Sequence, residues 1–106
     1  MTNMEIDAFV AIKILNMEQS GHAWISKKGS YCCSIESWRP SGNISDAFKV
    51  VEKMREKGFY GQILFDKSLR FSVDFMNGVD AKGSSIGGEL PLAICKSALR
   101  AIGEEA

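Results

Sequence analysis

Apolar residues recur every three or four positions in three segments of this 106-residue chain, and every second position in others. The clearest helical segment runs from Pro91 to Ile102. Leu92, Cys95, Leu99 and Ile102 share one face, Ile94, Ala98 and Ala101 widen it, and Lys96 and Arg100 lie four apart on the polar side. Pro91 suits a first helical turn, and Gly103 is placed to end the helix. Near the N-terminus, Thr2-Asn3-Met4-Glu5 reads as a capping box. Behind it, Ile6, Phe9, Val10, Lys13 and Met17 form one row and Ala8, Ile12 and Leu15 another, with an end near Gln19-Ser20-Gly21. Apolar over more than half its girth, this helix is expected to touch a sheet and a further surface, such as another chain. A third helix starts at Asn43 as N-cap, with Asp46 in its first turn. Its stripe is Ile44, Ala47, Phe48, Val51 and Met54, while Lys49, Glu52, Lys53 and Glu56 face water, and Gly58 ends it.

The alternating segments predict strands. In Leu69–Met76, Phe71, Val73 and Phe75 alternate with Arg70, Ser72 and Asp74, and Tyr60–Phe65 precedes it across a short Asp66-Lys67-Ser68 loop. Ala23-Trp24-Ile25 and Tyr31–Ile35 flank a Lys27-Lys28-Gly29-Ser30 turn, which reads as a hairpin or as an ordered loop with one short strand. Asn77-Gly78 marks a turn, Val79–Lys82 a further short strand, and Gly83–Gly88 a mobile polar connector to the last helix. Trp38–Asn43, interrupted by Pro40, is irregular. The order predicts an α+β fold: a small, mostly antiparallel sheet packed with three helices, α-ββ-α-ββ-α, resembling an α/β/α sandwich. Without internal repeat or linker, residues 1–106 are expected to form a single domain.

Composition narrows the function classes. Thirteen basic residues balance thirteen acidic ones, so no general grip on long nucleic acid is expected, and little charge opposes self-association. No apolar run approaches the ~20 residues of a membrane span, and no signal peptide is expected. Three cysteines, two of them adjacent (Cys32 and Cys33), do not form a disulfide framework, which points to a reducing, cytosolic setting.

No motif predicts catalysis. His22 is the sole histidine, and adjacent cysteines on a strand point to opposite faces, so neither a zinc site nor a Cys–His nucleophile assembles readily. The Gly83–Gly88 run lacks the Gly-Lys-Ser/Thr of a phosphate loop. Asp74, Asp80 and Glu89 show no pairing for acid–base work. What remains is aromatic and cationic: Trp24, Tyr31 and Trp38 near Lys27, Lys28 and Arg39, with Arg70 on a wet strand face. Aromatic faces beside Arg or Lys can hold a base and its phosphates, although a core-capping Trp and solvated charges explain the same residues.

Three blocks carry a family resemblance: Glu-Ile-Asp-Ala-Phe-Val-Ala near the start, Pro-Ser followed by Ala-Phe-Lys-Val-Val-Glu-Lys-Met in the middle, and Pro-Leu-Ala-Ile-Cys-Lys-Ser-Ala-Leu at the end. In this order they resemble the phage ABA sandwich domain family, with Phe48 where such proteins often have Trp. The resemblance implies an α-β-α layered fold and a phage or prophage origin, and no established reaction. The function expected is therefore a non-enzymatic, cofactor-free binding protein, sequestering a nucleotide-type immune signal to counter host defence. Its candidate ligand residues are Trp24, Lys27, Tyr31, Trp38, Arg39 and Arg70. A homo-oligomer is expected through the first or last helix, with the ligand between subunits. The alternative is a module that binds a host or phage protein and no small molecule.

Overall fold

A computed structural model describes residues 2–65, 67–68, 70–77 and 80–104. The chain runs α1 (Asn3–Lys13), β1 (Met17–Ser20), β2 (Ala23–Ser26), β3 (Tyr31–Ser34), α2 (Ile44–Glu56), β4 (Tyr60–Phe65), β5 (Phe71–Asn77), β6 (Asp80–Gly87) and α3 (Leu90–Ala101). The expected α+β class with three helices is present. The strands, however, form two antiparallel three-stranded sheets, β1-β2-β3 and β4-β5-β6, in α-βββ-α-βββ-α order rather than α-ββ-α-ββ-α. None of the helices is long and apolar enough to cross a membrane, among the described residues.

Each sheet has one strand more than the α-ββ-α-ββ-α order gives. The first helix stops at Lys13, well before Gln19–Gly21, because Asn16 adopts φ 54°, a left-handed conformation that Asn tolerates and a helix does not. Met17–Ser20 then pair with β2, from Met17↔Ser26 to Ser20↔Ala23, around a turn at Gly21 (φ 62°). Cross-strand bonds outweigh the helical row that ran from Lys13 to Met17. β2 and β3 pair as the hairpin, which decides against the ordered loop.

In the second sheet, Gly83–Gly87 belong to β6, paired with Phe71–Phe75 of β5, and are not a mobile connector. The cause is Gly83. A Cβ there would collide with the Ser97 carbonyl oxygen and the Ala101 amide nitrogen, and would lie 2.8 Å from the Ala101 Cα. The missing side chain is what lets the sheet lie directly on α3. Asp66, Leu69, Gly78 and Val79, which fall in the expected 66–68 loop, the first of the 69–76 strand, and the 77–82 turn and strand, lie outside the described residues.

α3 is the centre of the core. Ala93, Ile94, Cys95, Ser97, Ala98 and Leu99 are buried, so its apolar stripe is enclosed by β5, β6, α1 and α2. Ser97 is satisfied by donating its Oγ–H to the Val73 carbonyl at 2.7 Å. In α2 the buried arc is Ala47, Val50 and Met54, with Val51 at its margin. That arc is turned from the expected stripe, so Ile44 and Phe48 are exposed. The capping features follow the sequence reading. Thr2 Oγ1 accepts from the Glu5 amide at 3.2 Å, Asn43 Oδ1 accepts from the Asp46 amide at 3.1 Å, and Gly58 and Gly103 take φ 94° and 89°.

Candidate functional site

The irregular segment after β3 is pinned onto α1 chiefly by Asp7, with Ser41 Oγ also donating to the Asn3 carbonyl at 3.5 Å. Asp7 accepts from Trp38 Nε1–H through its backbone carbonyl (3.0 Å) and from the Ser41 amide through Oδ1 (2.8 Å). Pro40 is fully buried between these bonds. At the other end of the segment, Asp46 Oδ2 accepts from the Arg39 amide at 3.0 Å, tying it to the first turn of α2. The 38–41 loop is thus held from both helices, although its sequence alone reads as a break.

This clamp leaves a cleft of about 360 Å³ between α1, the first sheet and residues 35–42. Its walls include Asp7 and Ala8 of α1, Trp24 of β2, Ile35, Trp38 and Arg39. That is the low end of the volume range of small-molecule sites, mainly apolar with a few polar groups. Both indoles are almost fully buried, so they present edges and partial faces rather than open stacking platforms. Arg39 is exposed, and its Nε–H donates to the Glu36 carbonyl at 3.1 Å, which fixes the guanidinium beside the opening. Burial pushes the Asp7 carboxyl above the ordinary carboxylate range, an effect opposed by the hydrogen bonds from Ser41 and by Arg39.

Of the six sequence-predicted ligand residues, the fold brings together Trp24, Trp38 and Arg39. Lys27 lies in the β2–β3 turn, and Tyr31 is exposed on β3 opposite Ile25, both away from the cleft wall. Arg70 precedes β5 in the other sheet. Asp7, Ala8 and Ile35 were missed. The signal for Asp7 was present: a carboxylate between Ile6 and Val10 on a helix whose other faces are largely apolar.

The reactive side chains do not converge. Cys32 donates its thiol to Cys33 Sγ at 3.4 Å, and burial together with that neighbour pushes the Cys33 thiol up to about 12, so it stays protonated at neutral pH. Burial likewise raises the Cys95 thiol. Among the described residues no three His, Cys, Asp or Glu side chains are grouped to hold a metal ion. At the start of α3 the N-cap is Glu89, whose side chain makes no capping hydrogen bond, and Pro91 in the first turn removes one amide that a phosphate site would use.

Comparison with known proteins agrees with this architecture. The model of the family described as phage ABA sandwich domain matches residues 8–99. The chain is similar in fold to a phage protein from Bacillus cereus ATCC 14579, whose crystal structure was determined at 2.0 Å. That likeness has a TM-score of 0.78 at 23% identity and covers 100% of this chain and 92% of the other. No curated protein matches the sequence.

Proposed function

The chain belongs to the phage ABA sandwich domain family, and from that premise we propose that it is a non-enzymatic binding protein. Its cargo is a small nucleotide-type ligand, held in the cleft between α1 and the two tryptophan-bearing segments. The observation that carries this reading is the junction of Trp24, Trp38, Asp7 and Arg39 in one cleft of about 360 Å³. These residues come from a helix, a strand and a loop, and the bonds at Asp7 hold the loop against the helix.

The chemistry assigns an orientation. A planar base enters between Ala8 and the indoles, its N–H donors facing the Asp7 carboxylate, while a phosphate stays at the mouth beside Arg39. The volume suits one base and its sugar, and the near-buried indoles contribute enclosure more than stacking. Sequestration of a host signal nucleotide is the role that such a site would have in a phage protein.

Titration calorimetry against cyclic, linear and ADP-ribose-type nucleotides tests the reading. Arg39→Ala should weaken binding about tenfold, as expected for loss of one charge-assisted contact. Ala8→Leu, which fills the cleft without opening the core, should abolish it. A flat response across the panel, or binding that Ala8→Leu leaves intact, removes the proposal. A second reading, a module for a host or phage protein, is favoured by the apolar surface that α2 and β4 expose. It predicts a partner retained from host lysate by Ala8→Leu as well as by the parent chain.

A further inference from the structure

β4 lies at one edge of the sheet β4-β5-β6, and all six of its residues, Tyr60-Gly61-Gln62-Ile63-Leu64-Phe65, are exposed. It carries no charge and no proline. Natural edge strands are ordinarily protected by lysines, prolines, bulges or a covering element. Here the nearest cover is α2, which packs chiefly on α3 and reaches β4 only at its margin.

We propose that this edge is the dimer interface, occupied by a second copy of β4 paired antiparallel about a two-fold axis through Ile63. The register follows from which residues share a face. Gly61, Ile63 and Phe65 lie opposite Phe75, Val73 and Phe71, and Val73 and Phe75 are buried under the helices. A two-fold perpendicular to the sheet keeps helix-side residues opposite helix-side residues. Centring it on Ile63 sets Ile63 against its own copy and Phe65 against Gly61.

That match is complementary in shape. Phe65 is 74% exposed and only leans on Phe71, with ring centroids 6.4 Å apart. Over Gly61 is a notch of about 200 Å³, bounded by Val51, Ile63, Val73 and Phe75. An aromatic ring from the neighbouring strand filling the space over a glycine is a recurrent device of sheet pairing. The notch therefore receives the partner's ring twice, once on each side of the axis.

Other features agree with a second copy rather than a foreign chain. An isologous contact needs only this one surface. The strand is uncharged, so self-pairing opposes no like charges, and the chain as a whole is neutral. The same dyad places both α2 helices on one face of a six-stranded sheet. Val51 of α2 lines the notch, and Phe48 and Ile44, one and two turns before it on the same helix face, are exposed. Ile44, Phe48, Ile63, Phe65 and the edge backbone offer roughly 600 Å² per copy, about 1,200 Å² across the pair, the lower end for a specific interface.

Sedimentation of the full chain over a concentration series tests this, and the test is independent of the cleft. The expected species is twice the 11.7 kDa chain mass. Ile63→Lys and Phe65→Ala should each raise the dimer dissociation constant at least tenfold, while Ile86→Lys on β6 should leave it unchanged. Amide exchange on the parent chain covers the case where a variant misfolds: the alternate β4 amides that point away from β5 should become protected as concentration rises. A monomer across the series, a dimer that survives folded Ile63→Lys, or exchange of those β4 amides that ignores concentration would overturn the proposal.

Discussion

Replacing Gly83 by alanine adds one methyl group at the tightest contact between sheet and helix. The new Cβ meets backbone atoms of Ser97 and Ala101 rather than the ends of side chains, so no rotamer change relieves it. Restoring ordinary contact from 2.8 Å or less requires α3 and β6 to separate by about 1 Å. Hydrogen bonds beside that seam tie α3 to the sheet: Arg100 Nη1 donates to the Ser84 carbonyl of β6 and Ser97 Oγ to the Val73 carbonyl of the adjacent β5, both 2.7 Å. Overpacking alone costs about 1–3 kcal/mol, and stretching the buried Ser97 bond adds about 1 kcal/mol. A loss near 3 kcal/mol is a large share of the ~5–15 kcal/mol that holds a domain together. The assay is urea unfolding, in which Gly83→Ala should lower the midpoint without changing the slope, and Tm should fall by roughly 12–20 °C. Gly88→Ala is the control. Nothing lies within 4 Å of a Cβ at that position, and its effect should stay within about 0.5 kcal/mol. If the two alanine variants unfold at the same midpoint, the close approach of β6 to α3 is refuted.

Three further outcomes follow from the buried polar groups. Ser97→Ala leaves the Val73 carbonyl without its 2.7 Å donor in the core, and should cost about 1–2 kcal/mol in urea unfolding. Trp38→Phe keeps most of the ring volume but removes the donor to the Asp7 carbonyl; a loss of about 1–2 kcal/mol by calorimetry is expected, and none if that bond is dispensable. Asp7 gives a pH signature. Burial raises its folded-state affinity for a proton, so its contribution to stability is complete below the unfolded carboxylate range and disappears as pH rises through the folded value. Asp7→Asn keeps an acceptor for the Ser41 amide and removes the titration. Relative to the parent chain, it should gain stability as pH rises from the unfolded carboxylate range, about pH 4, and level off once the folded carboxyl has ionised; a difference that does not vary with pH contradicts the burial argument.

The starts of α1 and α2 and the ends of α2 and α3 were legible because they depend on neighbours a few residues away, whereas the end of α1 at Lys13 was not. Thr2 with Glu5, Asn43 with Asp46, and the glycines at 58 and 103 satisfy amides or carbonyls of their own turns. The strands β2, β3, β4 and β5 were legible for a similar reason, since period-two patterning marks a half-buried surface. The errors arose where a distant element decided the outcome. Met17 fits a helical row equally well, and only pairing with Ser26 makes it a strand residue. Gly83 beside Ser84 and Ser85 looks flexible until α3 lies against it. In α2 the choice between Phe48 and Val50 for the core depended on where α3 lies, which α2's own sequence does not encode.

The candidate site divides in the same way. Trp38 and Arg39 were noticed as an aromatic and a cation beside a proline, but Asp7, which bonds to Trp38 and Ser41, is 31 and 34 residues before those two in the chain. Sequence by itself determined the number and kind of helices, their caps, the family blocks and the neutral charge, because each is a property of short windows or of composition. Tertiary structure alone decided how six strands divide between two sheets, which faces stay uncovered, and that a buried carboxylate assembles a cleft. The physical reason is that these depend on contacts between residues whose separation in the chain no local period records.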